Sequence, residues 1–390
     1  MADNSLVLLG GGHTHLYVLA RTRELVKRGV GVTLVSPTSM QYYSGMAPGV
    51  MGCQYAPEDL QVDAAALVQQ GGGRFLEDSA VDIDPDDKTV ETAGGERLTY
   101  DVLSCNIGSS VPLDAVEIAD ETLWERMVFR TKPIRKLLRA RERLIELLDA
   151  GSTRCVVIGC GPAAAELAGN VRRLADDCTN PEAPSRLTVT VVCRSELLYG
   201  RPRSFRGRVA HSLVRRGVEV VHNTVARRVD SDGVHCDGGT TIPADVVLLA
   251  TGVKPPSLFV DAGLPVDEDG ALLVEATLQS VAYEHILGAG DCISFAPRPI
   301  RRVGVHAVRE QPILYHNLQH LLGVAEAGLR RYRPQEHYLF ALNMGDGTGV
   351  AMKWGIPFHG RLAFRVKDRL DRRFIQMYQR RTQQVSDDAA

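Results

Sequence analysis

The chain has 390 residues, 44% of them hydrophobic, and its 45 Lys+Arg against 47 Asp+Glu leave a formal charge of −2. Domains usually run to about 100–200 residues, so two or three are expected, each able to bury a core. Near-neutral charge argues against a nucleic-acid binder, whose footprint would be strongly basic, and no apolar run approaches the roughly 20 residues of a membrane span.

The N-terminal residues carry no basic region followed by a long apolar stretch, so no secretory signal is expected. The eight cysteines are too sparse for a disulfide-stapled domain and read as packing residues in a reduced, cytoplasmic compartment.

Along the chain, strands alternate with helices, which favours parallel sheets covered by helices. The first predicted strand is Leu6–Leu9, followed by Gly10-Gly11-Gly12, an apolar helix through Leu16, Leu19 and Ala20, and a second strand at Val32–Val35. That is the length of a βαβ crossover. Asp101–Gly108 then reads as an apolar strand ending in a small-residue turn. Helical spacing of Ile134, Leu137, Leu138, Leu144, Ile145 and Leu148 predicts a packing helix, with Pro133 suited to its first turn and Gly151 beyond its end.

A second copy of the unit starts at the strand Cys155–Ile158, turns at Gly159-Cys160-Gly161, and reaches another strand at Thr188–Cys193. Asp245–Gly252 repeats the form of Asp101–Gly108, and Ile286–Gly288 leads into Gly290-Asp291. The last 60 residues change character, with turns at Gly345–Gly349 and Gly355-Ile356-Pro357 before a basic helix. The fold class expected is α/β: two Rossmann-like nucleotide-binding domains, each three-layered, plus a C-terminal α+β segment. Their expected boundaries are 1–115 with 270–330, 116–269, and 331–390.

A Gly-x-Gly turn after a strand lets the backbone approach a pyrophosphate, while the following helix offers free N–H groups and its positive end. Gly10 and Gly12 meet that need, although the third position is His15. Gly159 and Gly161 do so again, with Ala164 in the third position, an accepted variant. One such turn is weak evidence; two in matching contexts predict two dinucleotide sites.

The residue that ends the second strand bears on which cofactor fits, since a carboxylate there binds ribose hydroxyls. The first unit has Ser36-Pro37 at that place, so ribose binding is weaker there or comes from elsewhere. The second has Cys193 and Arg194, with Arg201 and Arg203 shortly after. Guanidinium groups without a carboxylate favour the 2′-phosphate of NADPH over NADH, unless these arginines are a solvated surface cluster. Both readings stand.

The paired turns, followed by Leu249-Ala250-Thr251-Gly252 and Gly288-Ala289-Gly290-Asp291, resemble the FAD-dependent pyridine nucleotide-disulfide oxidoreductase superfamily, in its type II NADH dehydrogenase-like branch. Gly10–His15, Tyr43–Gly49, Val303–Arg309, Trp354-Gly355 and Lys367-Asp368-Arg369 are similar, more narrowly, to a subgroup that includes flavoproteins preceding selenophosphate synthase domains.

The resemblance implies that the first turn, with Gly10, Gly12, His13, Ser36, Pro37 and Gly108, holds FAD. It implies that the second, with Gly159, Gly161, Ala164, Arg194 and Gly252, holds NADH or NADPH. Gly290 and Asp291 would meet the FAD ribityl chain. Glu166 would lie beside nicotinamide and flavin and His306 near the flavin, as the catalytic candidates. Their plain alternatives are a helix-face carboxylate favoured by the helix dipole and a packed core histidine.

Cys155 and Cys160 imitate the spacing of a redox-active disulfide, but one sits on a strand and the other in the turn, so they are not expected to close. No cysteine follows Cys292 to complete the set of sulfide:quinone oxidoreductases. The pairs His13/His15 and His316/His320 lack further ligands, so no metal site is expected. Where quinone-using relatives carry glutamines, this chain has Val305 and Arg309.

From Arg361 to Arg381 there are eight basic and two acidic residues, with Val366, Leu370, Phe374, Met377 and Tyr378 on one helical face. Such a helix either rests on an anionic membrane or docks on the protein body, the narrow stripe favouring docking.

The expected function is therefore an FAD-dependent oxidoreductase passing hydride from NAD(P)H to flavin and electrons to an unidentified acceptor. One alternative is a quinone-reducing peripheral enzyme on the inner membrane face; another is a selenium-related flavin-bearing partner with little turnover. A homodimer is left open.

Overall fold

A computed structural model describes residues 4–177 and 183–388. Its frame, in chain order, begins with β1 (Asn4–Leu9), α1 (His15–Leu19), β2 (Val30–Ser36), α2 (Ala47–Met51), β3 (Arg74–Glu77) and β4 (Val102–Cys105). Then come β5 (Val128–Arg130), α3 (Ile134–Ala150), β6 (Thr153–Ile158), α4 (Pro162–Asp177), β7 (Leu187–Val192), β8 (Val218–Val221) and β9 (Val246–Leu249). The chain closes with β10 (Ile286–Gly288), α5 (Gly304–Leu321), β11 (Phe340–Asn343), β12 (Gly349–Lys353), β13 (Ile356–Gly360) and α6 (Arg361–Asp388).

Two five-stranded sheets organise the molecule. The first has the order β10-β4-β1-β2-β3 and the second β5-β9-β6-β7-β8, and every pairing in both is parallel. Strands covered on both faces can be apolar throughout, and Leu6–Leu9, Val102, Leu103 and Val246–Leu249 are all buried. The late strand β10 pairs with β4, Gly288 beside Cys105, so the first sheet is completed by chain that returns after the second sheet is built.

In each sheet the central strand, β1 or β6, has its crossover partner on one side and a later strand on the other. Ligands bind α/β sheets beyond the strand ends at such a reversal. Leu9 stands between Val35 and Cys105, and Ile158 between Val192 and Leu249, so the two glycine turns leave their sheets at equivalent points. Gly10 has φ +81°, and a Cβ on it would lie 2.6 Å from the Asn106 carbonyl oxygen. At Gly159, with φ +152°, the clash would be 2.3 Å from the Ala250 carbonyl oxygen. Only glycine lets each strand end pass so close to its neighbour.

The predicted linking helix is α3, capped by Pro133 and Gly151, with Ile134, Leu137, Ala140, Leu144 and Leu148 buried. Pro133 is the N-cap rather than a first-turn residue. The C-terminal segment is an antiparallel sheet, β11-β12-β13, and the long helix α6. That helix docks on the body through Ala363, Asp371, Phe374, Ile375 and Tyr378. The stripe read from sequence is thus split: Phe374 and Tyr378 are buried, while Leu370 and Met377 face outward, 51% and 47% exposed.

The cysteines divide as well. Cys105, Cys155, Cys160, Cys193, Cys236 and Cys292 are free. Cys53 is disulfide-bonded, which corrects the expectation that all the cysteines serve packing. Its backbone is left-handed, φ 56°, immediately after the α2 C-cap glycine. Cys178 lies outside the described residues. No described helix is long and apolar enough to cross a membrane.

Candidate active site

The first turn is held by one side chain that sequence reasoning did not single out. Asn106, just past β4, accepts the backbone N–H groups of Thr14 (3.0 Å) and His15 (3.2 Å), and its amide donates to the Ala289 carbonyl (2.5 Å). It thereby ties the turn to the loop that delivers Asp291. His15 is a structural residue. Its ring bonds the Gly10 carbonyl (2.6 Å) and the Ser104 hydroxyl (2.9 Å), and burial lowers its pKa to about 4.

His13 points elsewhere. Its ring packs edge-on against Tyr43, with centroids 5.2 Å apart, and against Phe374 at 6.1 Å. Burial, reinforced by the charge of Lys132, lowers its pKa to about 4, so the imidazole is neutral at physiological pH. Asp291 accepts from Lys132 Nζ at 2.5 Å and from the Ser109 hydroxyl at 3.0 Å. Burial alone would raise its pKa; Lys132 outweighs that and holds the carboxylate ionised. Lys132 comes from the link before α3, so the second unit supplies a cation to the first. Gly290, in the same turn, donates its N–H to Glu310 of α5 at 2.7 Å.

Glu166 lies on α4, nine-tenths buried, and accepts the Asn343 N–H at 2.7 Å. Burial raises its pKa to about 7 against the opposing pull of Lys367. Lys367 donates to Asp371 (2.6 Å) and to the Gly45 carbonyl (2.7 Å). Asp371 also accepts the Tyr43 hydroxyl at 2.9 Å. Burial penalises the ammonium, but Asp371 and Glu166 more than offset that penalty and hold it charged.

One polar wall therefore runs from Asp291 and Lys132 past His13 and Tyr43 to Asp371, Lys367 and Glu166. Its members come from segments scattered across the whole sequence. Lys367 and Asp371 had a signal available: spaced with Phe374 and Tyr378 at intervals of four, three and four, they fall on the core-facing side of the helix. Asn106 and Lys132 had none, because only the folded chain brings them to the turn.

Other candidate residues are placed less centrally. His306 is turned toward Tyr332, whose hydroxyl is 2.7 Å from Nδ1, and toward Tyr338. It lines a cavity of about 310 Å³ with Arg201, Arg301, Phe340 and Trp354. The face of α5 that meets the first turn is instead Ala307, Glu310 and Gln311: Thr14 donates to the Ala307 carbonyl and Gln311 to that of His13.

The Ser36 hydroxyl is used locally, donating to Thr38 at 2.9 Å and accepting from Gln41 at 3.2 Å, and Pro37 is exposed. Gln41 in turn covers Gly11, where a Cβ would lie 2.8 Å from its Cγ. At the second turn Ala164 is fully buried and Arg194 exposed, while Arg201 stacks on Phe340 with its guanidinium carbon 3.9 Å from the ring centre.

Gly108, Gly161, Gly252 and Gly304 share a property that suits a bound cofactor. A Cβ at any of them would meet no atom within 4 Å, so each borders open space. Gly304 starts α5, an 18-residue helix whose positive end is thus accessible. An anionic dinucleotide fits both cradles.

Comparisons with known proteins agree. Residues 4–317 match the model of a family described as pyridine nucleotide-disulphide oxidoreductase. The chain is 27% identical to ferroptosis suppressor protein 1 of Taeniopygia guttata, over 75% of this chain and 74% of that protein. It is 24% identical to a type II NADH:quinone oxidoreductase of Haemophilus influenzae, over 74% and 73% of the two chains. Among solved structures, NDH2 of Plasmodium falciparum in complex with NADH superposes with a TM-score of 0.82 at 12% identity, covering 98% of each chain, which speaks to fold. The match spans both sheets and both turns, and the chain belongs to the pyridine nucleotide-disulphide oxidoreductase family of oxidoreductases.

Proposed function

We propose that this protein is a flavoenzyme that binds FAD at the first glycine turn and NADH or NADPH at the second. Electrons drawn from the nicotinamide would leave for an acceptor that reaches the flavin edge. When bound, the two cofactors supply hydride transfer and onward electron release; the protein binds, orients and shields them. The observation that carries this reading is the buried wall at the first turn, where Asp291 is delivered by β10 and neutralised by Lys132 of the second unit.

In this reading Asp291 accepts hydroxyls of the ribityl chain, and the start of α5 at Gly304 offers its positive end to the flavin's electron-rich rim. Gly108 leaves room for the cofactor beside Gly10 and Gly12. Ser36 and Pro37 would border the adenosine, with Gln41, bonded to the Ser36 hydroxyl, as a further polar group there. At the second turn Gly159, Gly161, Ala164 and Gly252 shape the pyrophosphate cradle, and Arg194 is free to meet a 2′-phosphate.

Glu166 is poised to hold or release a proton near neutral pH, with the charge of Lys367 balancing its ionised form. His306 orients groups at the rim of its cavity through Tyr332. With the expected boundaries, 1–115 and 270–330 for FAD, 116–269 for NAD(P), and 331–390, Lys132 would reach the first site from the NAD(P) unit and Lys367 from the C-terminal segment.

Rapid mixing with each nucleotide under anaerobic conditions tests this. The flavin absorbance should bleach within seconds with at least one of them; a spectrum unchanged by both would overturn the proposal.

A quinone acceptor at a membrane surface is the second reading. It is favoured by outward-facing Trp354, Ile356, Leu362, Leu370 and Met377, 67%, 68%, 70%, 51% and 47% exposed, among arginines of α6. Cosedimentation with anionic vesicles that is lost in a Leu370→Glu/Met377→Glu variant would support it. Absence of binding to such vesicles would remove it.

A further inference from the structure

The second glycine turn contains a thiol pair that the proposed hydride chemistry does not use. Cys160 occupies the middle of Gly159-Cys160-Gly161, and Cys193 follows the last residue of β7, the neighbouring strand. Gly159, the residue before Cys160, has its carbonyl beside the Cys193 thiol, so the two cysteines stand on adjoining backbone just past the paired strand ends. Cys193 is fully buried, its Sγ 3.3 Å from the Gly159 carbonyl oxygen, while Cys160 is partly open to solvent.

Cys160 therefore offers a partly exposed sulfur with a second thiol on the neighbouring backbone. We propose that Cys160 and Cys193 form an oxidation site for hydroperoxides, closing to a disulfide across the floor of the nicotinamide-nucleotide turn and so blocking that nucleotide.

The chemistry balances with a hydroperoxide as the named oxidant. The Cys160 thiolate attacks the terminal peroxide oxygen, the S–O bond forms as the O–O bond breaks, and the departing oxygen leaves as water or an alcohol after taking a proton. The Cys193 thiol then attacks the sulfenic sulfur. An S–S bond forms, the S–O bond breaks, and the hydroxyl leaves as water with the Cys193 proton. The two sulfurs lose two electrons in all, and the peroxide gains them.

The environment sorts Cys160 from the remaining free cysteines: the neighbouring Cys193 thiol lowers the Cys160 pKa, while Cys160 beside it and burial raise that of Cys193. Burial pushes Cys155 and Cys292 up to about 12 and raises Cys105 and Cys236 as well. Closure would act on the nucleotide through position. Cys193 stands where a side chain reaches the adenosine ribose, and Cys160 supplies backbone to the pyrophosphate cradle. Drawing Cys160 toward β7 would narrow the turn.

This inference rests on the assignment of a nicotinamide nucleotide to the second turn, and the experiment separates the two. The flavin-loaded protein is treated with hydrogen peroxide and digested without reduction, and peptides are mapped by mass spectrometry. A linked pair containing Cys160 and Cys193 is expected. Alongside it, the KM for the nucleotide should rise at least tenfold and return when dithiothreitol is added. In Cys193→Ser protein, Cys160 should stop at a sulfenic acid that dimedone captures. No linked peptide after peroxide treatment, or a linked peptide with unchanged KM, would overturn the proposal. If the untreated protein accepts electrons from neither nucleotide, the assignment of the turn fails, while the peptide map still reports on the thiols.

Discussion

Replacing Glu166 by glutamine removes one titrating carboxylate from the polar wall while retaining an oxygen for the Asn343 N–H, now 2.7 Å away. Burial lifts this group from 4.5 to about 7. In the folded protein it therefore keeps its proton between those values, whereas the unfolded chain releases it. A raised carboxyl pKa contributes stability that is complete below 4.5 and is lost as pH rises through 7.

The span corresponds to about 3 kcal/mol at pH 8. Urea unfolding of wild type and Glu166→Gln at pH 5 and pH 8 measures it. The variant should gain about 2.5 kcal/mol on the wild type between the two pH values, because it lacks the group that must ionise inside the protein. Glu310, also raised to about 7 by burial, is present in both proteins and cancels in the difference. Equal pH slopes for the two proteins would refute the argument that Glu166 is protonated in the folded state near neutrality.

Asp291→Ala should purify with less flavin, the affinity for FAD falling roughly ten- to hundred-fold for the loss of charge-assisted hydrogen bonds; titration of apoprotein with FAD reads this directly. Gly10→Ala forces a Cβ to within 2.6 Å of the Asn106 oxygen at φ +81° and should destabilise the protein by more than about 1 kcal/mol, measured by thermal unfolding. Gly161→Ala meets nothing within 4 Å, so its stability should stay within about 0.5 kcal/mol while KM for the nucleotide rises. Arg194→Glu should raise KM for NADPH by roughly tenfold more than for NADH; an equal response would show that Arg194 does not read the 2′-phosphate.

Both glycine turns, the parallel strands around them and the linking helix from Ile134 were legible in the sequence, because each rests on local pattern: apolar runs, Gly-x-Gly, and helical spacing. The wall at the first turn was only partly legible. Asp291, His13 and Glu166 stand in motifs, but their partners do not. Lys132 reaches Asp291 from the link before α3, and Asn106 fastens the turn from the far side of β4. Such contacts depend on how sheets return to one another, which composition and spacing do not encode.

His306 stands beside a motif that the resemblance puts near the flavin; in the fold its ring meets Tyr332, while Ala307, Glu310 and Gln311 of the same helix meet the first turn. For the basic C-terminal helix the sequence left membrane contact and docking open and favoured docking; the helix buries Ala363, Asp371, Phe374, Ile375 and Tyr378 on the body. The stripe of apolar residues did not point to the Lys367–Asp371 pair, which only its spacing with Phe374 and Tyr378 could have marked.

Anaerobic stopped-flow mixing of the flavin-loaded protein with NADH and, separately, NADPH tests the proposed chemistry most directly. Rapid loss of oxidised-flavin absorbance is expected with at least one nucleotide, and recovery when an electron acceptor is admitted. A chain that carries no flavin after reconstitution with FAD, or whose flavin stays oxidised with both nucleotides, would contradict it.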